Sequence, residues 1–165
     1  MNTFDKVLRF TTEKMAYGAI IAIVVCVGLV VSDIIKRSIG FAMIPGVPET
    51  VELISSVILS MGIPYLTFVK GHVAVGILVD RFRPRNQAVF VLVTSVIALA
   101  FAILLTRGLF DHAIYNQRIG WTTGYLKIPR HPFIYLTAVS MALTSVVLIR
   151  DLLKAVITLR KGGEA

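Results

Sequence analysis

Hydrophobic positions along the chain gather in four runs that hold no charged residue: 17–32, 53–69, 87–106 and 132–149, of 16, 17, 20 and 18 residues. A helix needs about 20 residues to cross the hydrocarbon of a bilayer, with a range near 17–25. The first run reaches that length once Met15, Ala16 and residues 33–35 are added, so the expected spans are about 15–35, 51–69, 87–106 and 132–150. Inside lipid a segment must satisfy its own backbone polar groups, which selects helices. The alternation of a barrel strand is absent, and the runs are too long for one. The pattern predicts an all-α integral membrane protein, a single membrane domain 1–165 with four transmembrane helices.

The flanking segments are amphipathic. Phe4, Val7, Leu8, Thr11 and Met15 share one face at spacings of three and four, while Asp5, Arg9 and Glu13 line another. This predicts a short helix lying in the interface or extending the first span. At the other end Arg150, Lys154, Thr158 and Lys161 form a polar stripe opposite Leu152, Leu153, Val156, Ile157 and Leu159. Basic residues on such a face would meet anionic lipid. Residues 72–85 read as an in-plane helix bearing Ile77, Leu78 and Phe82 that Pro84 ends, and their Val-rich half also alternates as a strand would. The connection 107–131 is the longest and carries Tyr115, Trp121 and Tyr125, residue types that anchor at the membrane interface or offer a docking surface. Small residues recur four apart (Gly18, Ala22 and Cys26; Ser56 and Ser60; Ala98 and Ala102; Ala138 and Ala142), which lets helices approach closely in lipid. Pro64 removes one backbone donor and should bend the second span.

Composition agrees with this picture. Of 165 residues, 56% are apolar and 16% charged, and the mean hydropathy is +0.83; a soluble domain has about 45–50% and about 25%. The net charge of +8 could suggest nucleic acid, but the basic residues cluster between the runs rather than along a polar face. Their placement bears on orientation instead. Eleven Lys and Arg lie in the N-terminus, the second connection and the C-terminus, against six in the first and third connections. The excess predicts both termini in the cytoplasm. A cleaved secretory signal is disfavoured, since Asp5 and Glu13 precede the first run and Asp33, Lys36 and Arg37 follow it.

Chemistry-bearing patterns are missing. A lone cysteine, Cys26, excludes a disulfide framework. His72, His112 and His131 are far apart and lack metal-ligand spacing. No span centre holds an ionisable residue of the kind that marks ion or proton pathways. Glu49 and Glu52 open the second span, where the helix dipole favours them. The residues therefore predict a small membrane subunit with no catalytic residues, no cofactor site and no metal site.

The order of features is more specific. Lys36–Arg37 follow the first span, Glu52–Leu53 open the second, Gly71–His72 and Asp80 lie in the basic second connection, and Ile128–Pro129 precede the fourth span. With four spans and this length, the chain resembles the small membrane (Q) subunit of tripartite ATP-independent periplasmic (TRAP) transporters. It departs from the family's pattern where His131 stands near a frequent Trp, and where 44–48 lacks an aromatic. The resemblance implies a bacterial inner-membrane subunit that braces the scaffold of a large multi-span (M) membrane subunit. That partner would carry out sodium-coupled uptake of an organic or sugar acid delivered by a periplasmic binding (P) protein. The implied partner-facing residues are Arg37, Glu52, His72, Asp80, Arg118, Lys127 and Pro129. Arg37 and Glu52 are expected to meet across the first hairpin, with Glu52 buried there or against the large subunit. Arg118 and Lys127 are expected to face the binding protein. The alternative is a small four-helix membrane enzyme of the glutathione-linked transferase type, which would need an Arg and Asn cluster with Glu inside the bundle.

Overall fold

The four charge-free runs become four helices in a computed structural model of the chain, which describes residues 3–69 and 84–161. Helix α1 is Thr3–Ser38, α2 is Val47–Phe68, α3 is Pro84–Ile119 and α4 is His131–Lys161. All four are long and apolar enough to cross a membrane. At 1.5 Å per residue, α2 is about 33 Å long and α1 and α3 about 54 Å. The hydrocarbon is only about 30 Å thick.

Each helix outruns its expected span, most of all α3, because a charge ends an apolar run without ending a helix. Residues 107–119 contain no proline, so α3 continues through them and stops before Gly120, which has φ of 64°. The expected long connection 107–131 therefore shortens to 120–130. The N-terminal amphipathic segment is the extension of α1 and not a separate interfacial helix. Its buried stripe is Leu8, Thr12 and Ala19, whereas Val7 is 59% exposed. The C-terminal segment likewise continues α4 as far as Lys161. Residues 70–83 lie outside the described part, and with them His72, Asp80 and most of the expected in-plane helix. Pro84 is the first residue of α3, and at that position its missing N–H costs nothing.

The order of neighbours is α1, α2, α4, α3. α2 and α4 form the middle, and α1 and α3 the edges. At the α1–α2 seam Gly18 faces the Met61 thioether, whose sulfur would stand 2.8 Å from a Cβ at that position. Ala102 and Ala113 on α3 and Ala138 on α4 are buried, as small residues at close helix contacts should be.

The α2–α4 seam is polar, and Pro64 explains why. Having no N–H, Pro64 leaves the carbonyl of Ser60, one turn earlier, without its helical donor. The Ser140 hydroxyl of α4 donates to that carbonyl. Beside it the Ser60 and Thr137 hydroxyls lie 2.8 Å apart. Thr144 then bonds back to the Ser140 carbonyl within α4, at 3.0 Å. In a medium without water an orphaned carbonyl is costly, so α4 supplies what α2 lacks.

Candidate functional site

Among the described residues, the end of the molecule that holds the 39–46 and 120–130 connections gathers many of the polar side chains that join separate elements. Its frame is the start of α2. Gly46 precedes that helix with φ of 83°, in the left-handed region that suits glycine, and a Cβ there would stand 2.7 Å from Leu126 Cγ. Val47 and Pro48 follow, where the absent proline N–H would have had no helical partner.

Three carboxylates organise this end. Asp33, 3% exposed near the close of α1, accepts the Ile44 backbone N–H at 2.9 Å and pairs with Arg37 at 2.5 Å. It thereby ties the first connection back to its own helix. Glu49 accepts the backbone N–H groups of Tyr125 at 2.6 Å and Leu126 at 2.9 Å, fastening the 120–130 connection to α2. Gly124 lets this approach happen, since a Cβ there would sit 3.3 Å from Glu49 Oε1. Glu52, one turn further, pairs with Arg130 at 3.1 Å. The Arg130 guanidinium lies 5.5 Å from the centre of the Trp121 ring.

The 120–130 connection is itself a tight hairpin. Thr122 and Pro129 form a β-bridge, Thr123 N–H donates to the Ile128 carbonyl at 2.9 Å, and Ile128 N–H returns to Thr123 Oγ1 at 3.0 Å. Lys127 takes the left-handed conformation at φ of 58°. Trp121, Tyr125, Lys127 and Pro129 are exposed on this hairpin, and Arg118 is exposed on the last turn of α3.

The expected Arg37–Glu52 pair does not form. Arg37 is held by Asp33 one turn back on its own helix, and Glu52 lies on the α2 face that meets the 120–130 connection, where Arg130 reaches it. Nor is Glu52 buried within this chain: its side chain is 56% exposed. Arg118 and Lys127 are on the same end, as expected, and Pro129 helps close the hairpin. Asp33, Glu49 and Arg130 were not singled out as contact residues from the sequence. The available signal for Asp33 was its position four residues before Arg37, and for Glu49 its position three before Glu52.

At the opposite end Arg150 is also reassigned. It was expected on a lipid-facing stripe, but it pairs with Asp5 of α1 and Asp151 and covers the Phe68 ring at 4.6 Å. With side-chain exposures of 15% and 12%, Arg150 and Asp5 join α1 to α4 where those helices otherwise scarcely touch.

A family model described as the DctQ component of tripartite ATP-independent periplasmic transporters matches residues 26–158, well over half of the chain. No curated protein and no solved structure matches it. The family is one of transporter components and not of enzymes, and its transporters are assemblies of three parts, so the glutathione-linked alternative has no support. A multi-pass membrane chain with this match belongs to the DctQ family, the small membrane components of TRAP transporters.

Proposed function

We propose that this chain is the non-catalytic brace of its transporter, holding the static scaffold of the large membrane subunit. That subunit takes up an organic or sugar acid, with sodium, from a periplasmic binding protein. The observation that carries the reading is the neighbour order α1, α2, α4, α3, which leaves both edge helices with long apolar faces. Ile20, Ile21, Val24 and Val27 on α1 and Ile97, Phe101, Ile103 and Leu104 on α3 are each more than half exposed. Such faces suit lipid or an apolar partner of comparable height. A mover of anions would need charged groups at mid-membrane depth, and no span centre in the sequence offers one.

The positive-inside count orients this brace with both termini in the cytoplasm of the inner membrane. The hairpin 120–130 then faces the periplasm, where Arg37, Arg118, Lys127 and Pro129 meet the partner subunits; His72 and Asp80 belong to the cytoplasmic side. The test is co-expression with the large membrane subunit of the same transporter. The two should purify as one complex, and uptake in vesicles should require both together with the binding protein. Uptake by the large subunit and the binding protein at the full rate without this chain would overturn the proposal.

A further inference from the structure

The two edge helices differ at the mid-depth of the α2–α4 pair. The register of α3 on α4 follows from Phe110, whose ring centre lies 6.3 Å from that of Tyr135, and from Leu109, which lines one small cavity with Ser56 and Thr137. The Thr137 hydroxyl is 2.8 Å from that of Ser60. Arg107, two residues before Leu109 and so about 3 Å further along the axis, comes level with Ser60 and Ser140. Those serines stand at the middle of the charge-free runs 53–69 and 132–149, whereas the run of α3, 87–106, ends at this depth. There α3 presents Arg107, Gly108 and Asp111, all exposed. Neither charge makes an ion pair among the described residues. On the α1 edge, where Gly18 against Met61 sets the register, Ile20, Ile21 and Val24 are exposed at the same depth and residues 15–32 hold no charge.

Hydrocarbon suits the α1 edge but not the α3 edge. Ionisable side chains at such depth are costly and are found against protein or water, paired with groups that satisfy them. Arg107 and Asp111 lie on the outer edge rather than between helices of this chain, so they make no path through it. Gly108 adds a shape to the charges: a Cβ there would meet nothing within 4 Å, which leaves a notch beside the exposed Leu104. A small residue at such a place lets a neighbouring backbone come close. Gly28 on α1 is equally open, but its neighbours Val24, Val27 and Val31 call for no partner. We propose that the α3 edge is the one seated against the large membrane subunit. A transmembrane helix of that subunit crosses α3 at Gly108 and brings a carboxylate to Arg107 and a cation or hydrogen-bond donor to Asp111, while the α1 edge faces lipid. This rests on the bracing role and names the surface through which it acts.

The test co-expresses the full chain with the large membrane subunit and measures how much of that subunit each variant recovers. Gly108→Leu should lower recovery at least tenfold, and Gly28→Leu should leave it within twofold of the parent. Nothing in the chain stands within 4 Å of a Cβ at either position, so each variant alone should keep the parent's helicity by circular dichroism. Arg107→Leu, which lipid would favour, should lower recovery at least fivefold. In a Cys26→Ser background, Gly108→Cys should be shielded from an impermeant thiol reagent within the complex. A loss with Gly28→Leu in place of Gly108→Leu would hand the contact to α1 and overturn the inference. Undiminished recovery by Arg107→Leu would put the α3 edge in lipid, and labelling of Gly108→Cys in the complex would put Arg107 at the membrane surface; either overturns it. Disulfide-linked pairs of this chain through Asp111→Cys would assign the edge to a second copy and do the same. Each of these results leaves the bracing role standing, whereas failure of the parent chain to recover the large subunit removes both.

Discussion

Replacing Ser140 by Ala removes the hydroxyl that serves the Ser60 carbonyl and changes little else, since Ser140 is 2% and Ser60 0% exposed. The carbonyl is then without the donor that Pro64 cannot provide and without the one that α4 did provide. Interhelical hydrogen bonds in membranes contribute about 0.6 kcal/mol on average and about 1–2 in model peptides. A buried acceptor left unmade costs about 1–3 kcal/mol. The expected loss for Ser140→Ala is therefore about 1–2 kcal/mol, a factor of about 5–30 in the ratio of folded to unfolded chain. The argument makes a sharper statement about the pair. Pro64→Ala restores a helical N–H to the Ser60 carbonyl, so in that background Ser140→Ala should cost less than about 0.5 kcal/mol. Unfolding by sodium dodecyl sulfate in mixed micelles, followed by circular dichroism and Trp121 fluorescence, measures all four corners of the cycle. An equal cost in both backgrounds, or no cost in the parent, would refute the account of how proline and serine are coupled here.

Four further outcomes are expected. Glu49→Gln places an amide N–H₂ against one of two backbone donors, so the Tyr125 and Leu126 amides should exchange with deuterium at least about tenfold faster, a difference of about 1.4 kcal/mol. Gly46→Ala puts a Cβ at left-handed φ and against Leu126; chemical denaturation should show a loss of about 2–4 kcal/mol, of which Leu126→Ala relieves only the clash. Arg118→Glu with Lys127→Glu should slow uptake driven by the binding protein and leave co-purification with the large subunit unchanged. In a Cys26→Ser background, Lys127→Cys should react with an impermeant thiol reagent only from the periplasm and Gly163→Cys only from the cytoplasm.

The four spans were legible because charge-free windows of bilayer length have few other uses. Their true lengths were not, since Arg107 or Asp111 ends a hydrophobic window while remaining an ordinary helical residue. Pro64 was visible as a missing donor, but its remedy lies 76 residues away at Ser140, and local spacing does not report which helix will be adjacent. The same limit explains the first hairpin. Arg37 and Glu52 were rightly placed at one end, yet the choice between Asp33 and Glu52 for Arg37 depends on which face of each helix turns inward. Glu49 and Arg130 became recognisable only when the 120–130 connection folded back over the start of α2.

The neighbour order has a consequence for synthesis. A ribosome releases α1, α2 and α3 before α4, yet α4 is the helix on which both α2 and α3 pack. The first hairpin can close early, whereas α3 enters the lipid with no companion from its own chain and waits there. The latest of these four helices is thus the keystone: until it wedges between its two elders, the Ser60 carbonyl has no donor from α4 and α3 is not yet joined to the rest.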